Sequence, residues 1–596
     1  VQYKLNKISY IYVFFTRALD ILLFCVYTDI MATLQKKTSR GHTYWQIVES
    51  KRVNGKPRPI VLLHLGTAET LLKRLLQSDG KPIKARTYDF GAVAALWNVA
   101  QELDVVGTID RVVKKRKQGL SCGQYILLAA LNRCVAATSK ASLYGWYKKT
   151  VLQRLLPVSE RQLSSQRFWD HMNYLDAPTI AHIEEAFTQR LIDHFNIDLK
   201  TLLFDATNFD TYIDTQTESA LVQRGHAKSK RTDLRILGLA LLVSTDFHLP
   251  LLSMCYPGNH NDPTMFKSVA QSLAARYHQF AETCDHITLV FDGGNTSADN
   301  IAAIKEQGYH FVTSLTTTYH QDLLAIPLDH YQSLTNPRLK ECQAFRTSKE
   351  VWGTTRCVVI TRNQKLLEGQ IAGIIQGLQR KWAAVSELKQ KLFRSQQPKA
   401  KGKKYTPLSL RKKLDDICSG QYIKDILVAE ITDRDGTLDF TVKVDHASFD
   451  HLIATRLGKR ILCTDNDHWT TEEIILASRA QHHIESAFKQ MKSPHWVSFS
   501  PGFHWTDQKL RVHAFSCIIA LMLCSLLQRK ADHAGLVHTI PSLLGQLSEI
   551  EEIVNLYSTG SDTGRGRLRA EYLLSERSPL QEKLCRLFDL HRLTHT

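Results

Sequence analysis

The hydrophobic period changes several times along the chain, and each change predicts a different kind of element. Residues 40–66 alternate apolar and polar, as "HTYWQIVES" and then "KRVNGKPRPIVLLHLG". Two such stretches flanking Asn54-Gly55 predict a two-stranded ribbon with a tight turn. From 69 to 198 the period is helical: Val93, Leu96, Val99, Ala100 and Leu103 fall on one face. From 199 short apolar runs take over, "LKTLLFDATNF", "LRILGLALLVS" and "HITLVFDGGNTS", which read as buried strands. A helix is expected over Thr296–Gln307 and a further strand at "YHFVTSL", 309–315. Strands alternating with helices predict an α/β layer.

The pattern then breaks again. Residues 321–462 predict short strands around 351–361 and 437–445, a helix at 371–394 and a basic linker, "PKAKGKKYTPLSLRKK", at 398–413. A long helix follows at 471–492, opened by Thr470/Thr471 and the first-turn acids Glu472-Glu473. Helices are expected from 508 to the end.

Composition narrows the partners. The 596 residues carry 76 Lys plus Arg against 58 Asp plus Glu, a net charge of +18. A chain this basic points to a polyanion. Residues 31–60 hold seven Lys/Arg against the single acid Glu49, and "KKRK" at 114–117 and Lys148-Lys149 add to the charge. The ribbon and the helices after it therefore make a DNA-binding region, with a solvated basic surface as the plainer alternative. The 12 cysteines include no C-x-x-C pair, which argues against a zinc ribbon and for free thiols in a reducing compartment. The apolar run Tyr10–Tyr27 is interrupted by Arg17 and Asp20, and the uncharged run Ala514–Leu527 spans only 14 positions. Neither reaches the roughly 20 residues of a membrane span, and the second predicts a buried core helix. The first methionine is Met31, where the character of the text changes, so residues 1–30 are expected to be an upstream extension.

Two aspartates stand out by position. Asp205 ends the run Leu202-Leu203-Phe204, and Asp292 ends Leu289-Val290-Phe291 before Gly293-Gly294-Asn295. A carboxylate at the end of a buried strand costs desolvation unless something pairs with it, often a ligand or metal; capping of the next turn is the simpler reading. A third acid, Glu485, sits beside the apolar stripe Ile484, Phe488 and Met491, flanked by Gln481, His482, Lys489 and Lys492. Three hard oxygen ligands suit Mg²⁺ or Mn²⁺, and a pair of such ions would serve an in-line phosphodiester attack. Asp210, Asp214, Asp233 and Asp465 compete for the same role, with Asp465 open as the third ligand.

These strings, together with "RGHAKSKRTDLRILGLALLVS" at 224–244, "YPGNHNDPTMF" at 256–266 and "SRAQHHIESAFKQMK" at 478–492, resemble DDE-class transposases of insertion sequences, the "IS four" superfamily and its close relatives. The resemblance covers most of residues 40–530. It implies an RNase H-like catalytic core interrupted by a β-rich insertion, with an N-terminal β-hairpin plus helical DNA-binding region and a helical C-terminal part. The corresponding segments are 31–68 for the hairpin, 69–198 for the helical region, 199–320 and 463–530 for the core, 321–462 for the insertion and 531–596 for the C-terminal region. It implies that Asp205, Asp292 and Glu485 are the catalytic and metal-holding acids, separated by 87 and 193 residues. The family pattern Tyr-(2)-Arg-(3)-Glu-(6)-Lys on the third helix meets Ser478, Gln481, Glu485 and Lys492 here, so the cation of the Arg position is replaced by an amide. DNA contacts are expected from Lys492, Gln481, Arg479 and Lys489 on that helix and from Lys228, Lys230 and Arg231, beside His226, in the loop after the first catalytic strand. His482 and His483 lack a third ligand at zinc spacing.

The function expected is a transposase that binds the terminal inverted repeats of its element as a homodimer on double-stranded DNA. It would nick each end with Mg²⁺ or Mn²⁺, two ions in all, and join the freed 3′-hydroxyl to target DNA. The setting expected is cytoplasmic and nucleoid-associated, with no membrane partner. A decayed or repurposed copy that only binds DNA, and a nuclease acting on branched DNA, are the alternatives.

Overall fold

The computed structural model describes residues 32–594 except 40, 54–55, 78–81, 115–117, 198, 261–265, 268–270, 273–274, 279–286, 399, 401–403, 435 and 558–567. The expected extension at 1–30, the turn Asn54-Gly55, most of the KKRK run and parts of the 256–266 and 398–413 strings lie outside the described residues. The chain divides into two compact units, one running through Tyr88 and taking in Glu551–Ser575, the other formed by Asp89–Ile550 and Glu576–Leu593.

The first unit opens with β1 (Ala32–Ser39), β2 (His42–Val53) and β3 (Lys56–Gly66), an antiparallel sheet in that order. Val53 pairs with Lys56, leaving the two-residue connection that the alternation predicts. The ribbon is three-stranded rather than two-stranded: β1, "ATLQKKTS", is almost wholly exposed and shows no apolar alternation to announce it. Helix α1 (Ala68–Gln77) and strand β4 (Lys84–Asp89) follow.

The second unit begins with a helical layer: α2 (Gly91–Glu102), α3 (Val105–Val112), α4 (Cys122–Val135), α5 (Ser165–Met172) and α6 (Ala177–Phe195). The large sheet starts with β5 (Thr201–Thr211), β6 (Arg235–Ser244) and β7 (Pro250–Pro257), an antiparallel meander. β8 (Thr288–Phe291) returns beside β5 in parallel, and after helix α7 (Ala298–Glu306) β9 (His310–Leu315) lies parallel to β8. β6 is buried along its whole length, as expected of a central strand.

Residues 321–462 add β10 (Gln332–Ser333), β11 (Cys342–Val351) and β12 (Thr354–Asn363), then α8 (Gln364–Ser395), α9 (Pro407–Cys418), the hairpin β13 (Leu427–Arg434) and β14 (Thr437–Val444), and β15 (Lys459–Thr464). Four of these strands join the main sheet, whose full order is β10-β11-β12-β15-β9-β8-β5-β6-β7. The segment holds more helix than strand, so it is not the β-rich insertion expected. The 32-residue α8 builds its own core with Leu410, Leu414, Leu438 and Phe440 around Val385, Leu388 and Leu392.

Helix α10 (Thr471–Lys492) crosses the sheet over β5, β8 and β9. Thr470 caps it reciprocally with Glu473, which is why its start was readable in the sequence. Helix α11 (Asp507–His533) is, among the described residues, the one helix long and apolar enough to cross a membrane, but 94% of its apolar window is buried inside the protein. After α12 (Ile540–Ser548) the expected all-helical end gives way to β16 (Glu551–Tyr557) and β17 (Arg569–Leu574), before α13 (Pro579–Leu587). β16 and β17 pair with each other and form a sheet with β4. The ten described cysteines carry no disulfide, and all but Cys255 and Cys418 are buried.

Candidate active site

Strands β5 and β8 set the site. Their parallel ladder ends at the pair Leu203↔Val290. Asp205 and Asp292 each follow two residues later, so they hold the same register at the point where the parallel ladder stops. Parallel strands lie about 4.8 Å apart, and alternation turns both side chains to the same face as the residues two before them. The sequence places Asp205 at a strand end; in the structure β5 continues to Thr211, paired with β6 down to Thr211↔Arg235. What ends at Asp205 is the parallel partner, and that leaves its carboxylate only half covered.

Each carboxylate is steadied by the next backbone amide. Ala206 N–H donates to Asp205 Oδ1 at 2.7 Å. Gly293 N–H donates to Asp292 Oδ1 at 2.8 Å and also faces Ser314 Oγ at 3.1 Å. A Cβ at Gly293 would stand 2.6 Å from the Ser314 carbonyl oxygen, so the turn that presents Asp292 requires glycine.

Helix α10 brings the third acid. Ile484, Ala487, Phe488 and Met491 bury its inner face, and Glu485 is exposed beside them. Lys492 lies two turns further along on the same helix side, about 10 Å away. Its Nζ donates to Thr207 Oγ1 at 2.6 Å and sits 5.5 Å from the Phe209 ring centre. Lys200 and Thr201, at the start of β5, share a cleft with Leu476, Ala480 and His483 from earlier in α10. Helix and strand therefore run the same way, and stepping 10 Å back from Thr207 at about 3.3 Å per residue reaches Phe204–Asp205. Glu485 thus lies on α10 between the cleft at Lys200–Thr201 and the Lys492–Thr207 tether.

The basic loop folds back onto the same strand. Lys228 Nζ donates to the Ala206 carbonyl at 2.8 Å, and its backbone N–H donates to Asn208 Oδ1 at 3.0 Å. Asn208 Nδ2 donates to the His226 carbonyl at 3.0 Å, and Ser229 Oγ to Asp210 Oδ1 at 2.9 Å. Two cations, Lys228 and Lys492, thus meet β5 at the residues just past Asp205. Lys230 takes a left-handed backbone, and Arg231 forms an exposed ion pair with Asp233, Nε to Oδ1 2.7 Å, which holds that carboxyl down at about 2. Thr207 and Asn208, which organise both lysines, escaped the sequence reading; their place at i+2 and i+3 from Asp205 was the available signal.

The remaining candidates separate. Arg479 Nη1 donates to the Arg338 carbonyl at 2.9 Å, tying α10 to the 321–462 segment rather than to the aspartates. Gln481 is half-buried and Lys489 exposed. Asp465 lies elsewhere. It follows β15, which runs antiparallel to β9, and so it stands at the opposite end of the sheet, where Oδ1 accepts from Phe311 N–H at 3.0 Å. His310, Lys305 and Arg356 surround it at 3.5, 3.7 and 4.0 Å. His482 and His483 stack with centres 4.0 Å apart, and His483 faces His248 at 5.9 Å. Among the described residues no group of three or more His, Cys, Asp or Glu side chains is gathered closely enough to hold a metal ion.

Comparison with known proteins bears on this arrangement. Residues 197–522 match the transposase DDE domain, and residues 32–88 match the N-terminal domain of IS1634 family transposases. Among curated protein sequences none matches. Among solved structures, the chain is similar to that described as "Cryo-EM structure of piggyBac transposase synaptic complex with hairpin DNA", with 9% identity, 76% of this chain and 79% of that chain covered, and a TM-score of 0.35. The DDE match takes in both strands that carry Asp205 and Asp292 and the whole of the helix that carries Glu485, and the chain belongs to the DDE transposases of insertion sequences, a DNA transposase.

Proposed function

We propose that Asp205, Asp292 and Glu485 are the catalytic acids of an RNase H-like core, and that the protein cuts the terminal inverted repeats of its element and joins them to target DNA. The observation that carries this reading is the shared register of Asp205 and Asp292 at the end of the parallel ladder, beneath the helix that bears Glu485. The order β7-β6-β5-β8-β9, with an antiparallel meander followed by two parallel strands, supports the core, and 321–462 is then the insertion within it. The decayed, binding-only copy is not favoured beside a DDE match that spans all three acids.

The three carboxylates, two exposed and one half-exposed, are the donor type that a hard divalent cation takes, and they are not gathered around a common point in this structure. Asp205, Asp292 and Glu485 would hold Mg²⁺ or Mn²⁺, two ions in all, which when bound supply an activated water or 3′-hydroxyl and stabilise the leaving oxygen. The chain's own residues orient the DNA. Lys228 and Lys492 set positive charge just beyond Asp205, where a phosphate flanking the scissile one would lie. Lys489, Gln481, Arg479, Lys230 and Arg231 extend the contact outwards. The basic sheet β1–β3 and the helices of 69–198 take up the rest of the repeat, two copies of the chain pair the two ends, and the work is done on nucleoid DNA in the cytoplasm without a membrane partner.

A strand-transfer assay tests the proposal, with Mg²⁺, a supercoiled target plasmid and a labelled duplex carrying the end sequence. Label joined to plasmid by the wild type and lost in Asp205→Ala, Asp292→Ala and Glu485→Ala is the expected result. Undiminished joining by any of the three variants removes that residue from the catalytic set.

A further inference from the structure

Beyond the catalytic acids, the segment that follows α10 carries an aromatic cluster that packing does not explain. Trp505 is 58% exposed, Phe503 55% and Tyr212 54%. Trp505 lies flat on Trp169, ring centres 4.7 Å apart and planes 29° apart, with its other face to solvent. Phe503 sits 5.8 Å from Tyr212. Large aromatics clustered at a surface mark binding sites more often than misplaced core.

Trp505, Phe503 and Trp169 line a cavity of about 420 Å³ that also holds two basic side chains. Arg133 and Lys140 line it, and Arg133 is buried with its Nε lacking a hydrogen-bond partner. Lys509 lies 4.9 Å from the Trp169 ring centre. Burial, then the charges of Lys140, Arg133 and Lys509, push His504 down to about 3, and burial pushes Lys140 itself down to about 7.

The platform is held rigidly and is continuous with the active strand. Arg133 Nη1 donates to the Ser500 carbonyl at 2.8 Å, and Phe499 stacks on Phe209 at 4.3 Å. Tyr212 N–H donates to the Gly502 carbonyl at 3.4 Å. Tyr212 follows the last residue of β5 and is seven residues past Asp205, about 23 Å at extended rise, or about seven base steps of B-form rise.

We infer that Trp505, backed by Trp169 and flanked by Phe503, is a stacking platform for an unpaired nucleotide of the bound DNA, with its phosphate drawn to Lys140 and Arg133. An exposed indole face offers any base a partner, and the cations beneath supply the charge a phosphate needs. A base inside a duplex presents no free face, so the ligand is a nucleotide outside pairing. The inference rests on the reading of this sheet edge as the DNA-cutting edge.

The test uses the full chain in EDTA and two fluorescein-labelled probes: an oligothymidylate of about 20 nucleotides, long enough to span such a site, and a duplex of equal length. Trp505→Ala is expected to weaken oligothymidylate binding by roughly 5- to 100-fold, the range of one lost base stack. Duplex binding should stay within about two-fold and Trp505→Phe should restore most of the loss. Circular dichroism melts confirm that the variants fold, and Phe503→Ala gives an independent second variant. Unchanged oligothymidylate affinity in both alanine variants overturns the inference, and so does an equal loss on both probes. A wild type that binds duplex but not oligothymidylate overturns it while leaving the DNA-cutting reading intact; binding of neither probe counts against both.

Discussion

Lys492 donates to Thr207 at 2.6 Å and so fastens the end of α10 to β5 two residues beyond Asp205. This bond does two things that substitution can separate. The ammonium supplies charge, and the tether fixes where the end of α10 lies along the strand. Lys492→Ala is expected to weaken binding of all DNA sequences alike and to lower the slope of log K against log salt by about 0.9, one phosphate contact. Thr207→Val keeps the charge and is expected to leave that slope alone while slowing cleavage by roughly ten-fold, the cost of a small misplacement of a catalytic group. Fluorescence anisotropy at four salt concentrations, with single-turnover cleavage beside it, reads both. Identical slopes for wild type and Lys492→Ala would show that Lys492 meets no phosphate.

Asp465 and Asp292 offer a sharp contrast, because each acid follows a strand of the same sheet but at opposite ends. Asp292→Asn should abolish strand transfer while sparing DNA binding. Asp465→Asn should spare the chemistry and cost stability instead, roughly 1–3 kcal/mol, because the charge among Phe311 N–H, His310, Lys305 and Arg356 is lost. Joining assays and urea unfolding on the same two preparations separate the roles. Loss of joining in well-folded Asp465→Asn would restore it as a candidate ligand.

The parts of this fold that could be read in the sequence are those specified locally. The reciprocal cap of Thr470 and Glu473 announces α10, and the uncharged run at 514–527 announces the buried α11. The apolar runs before Asp205 and Asp292 announce β5 and β8. What could not be read depends on partners distant in sequence. β5 extends past Asp205 because β6 continues to pair with it, and no residue near 205 records where β8 stops. β11, β12 and β15 join the core sheet although their segment reads as a separate module, since sheet order is a property of packing rather than of period. β16 and β17 escape the sequence reading because they are only seven and six residues long and the third strand of their sheet, β4, lies more than 450 residues earlier. The site divides the same way: the acids are conspicuous by position, while the place of Asp465 at the opposite end of the sheet and the tie of Thr207 to Lys492 needed the sheet.

Glu184 and Arg276 form a largely buried ion pair, Nη2 to Oε2 2.9 Å, that binds α6 to β7 through Ser253. Arg276 also reaches Glu185 at 3.0 Å and the Ser253 carbonyl at 3.2 Å. Arg276→Met strands the Glu184 carboxylate in the core and should cost about 3–5 kcal/mol. Adding Glu184→Gln should recover part of that loss, since the uncompensated charge is then gone. Denaturant unfolding of the two single variants and the double variant measures the coupling. Additive losses would mean that the pair is solvated in solution.

Two buried histidines, His248 and His513, and the half-buried His504 make the fold sensitive to acid. Burial, then the neighbouring His483 and His482, push His248 down to about 3. Burial, then Lys140, Arg133 and Lys509, push His504 down to about 3, and burial, then Arg133, Lys140 and His504, hold His513 well below the ordinary value. In the unfolded chain each titrates near 6.5. Between about pH 6.5 and 3 the unfolded state therefore binds protons that the native state refuses. Stability contributed by the neutral rings is complete above pH 6.5 and falls as the pH drops through that window, by up to about 1.4 kcal/mol per unit for each ring. Melting temperature should be flat with respect to these groups from pH 7 to 8 and fall steeply below 6.5. His248→Phe removes one titrating ring without adding a buried polar atom, and its slope should be shallower than that of the wild type. Melts of wild type and variant at half-unit steps from pH 5 to 8 decide the matter: parallel curves would mean that His248 takes up its proton in the folded state as readily as in the unfolded one.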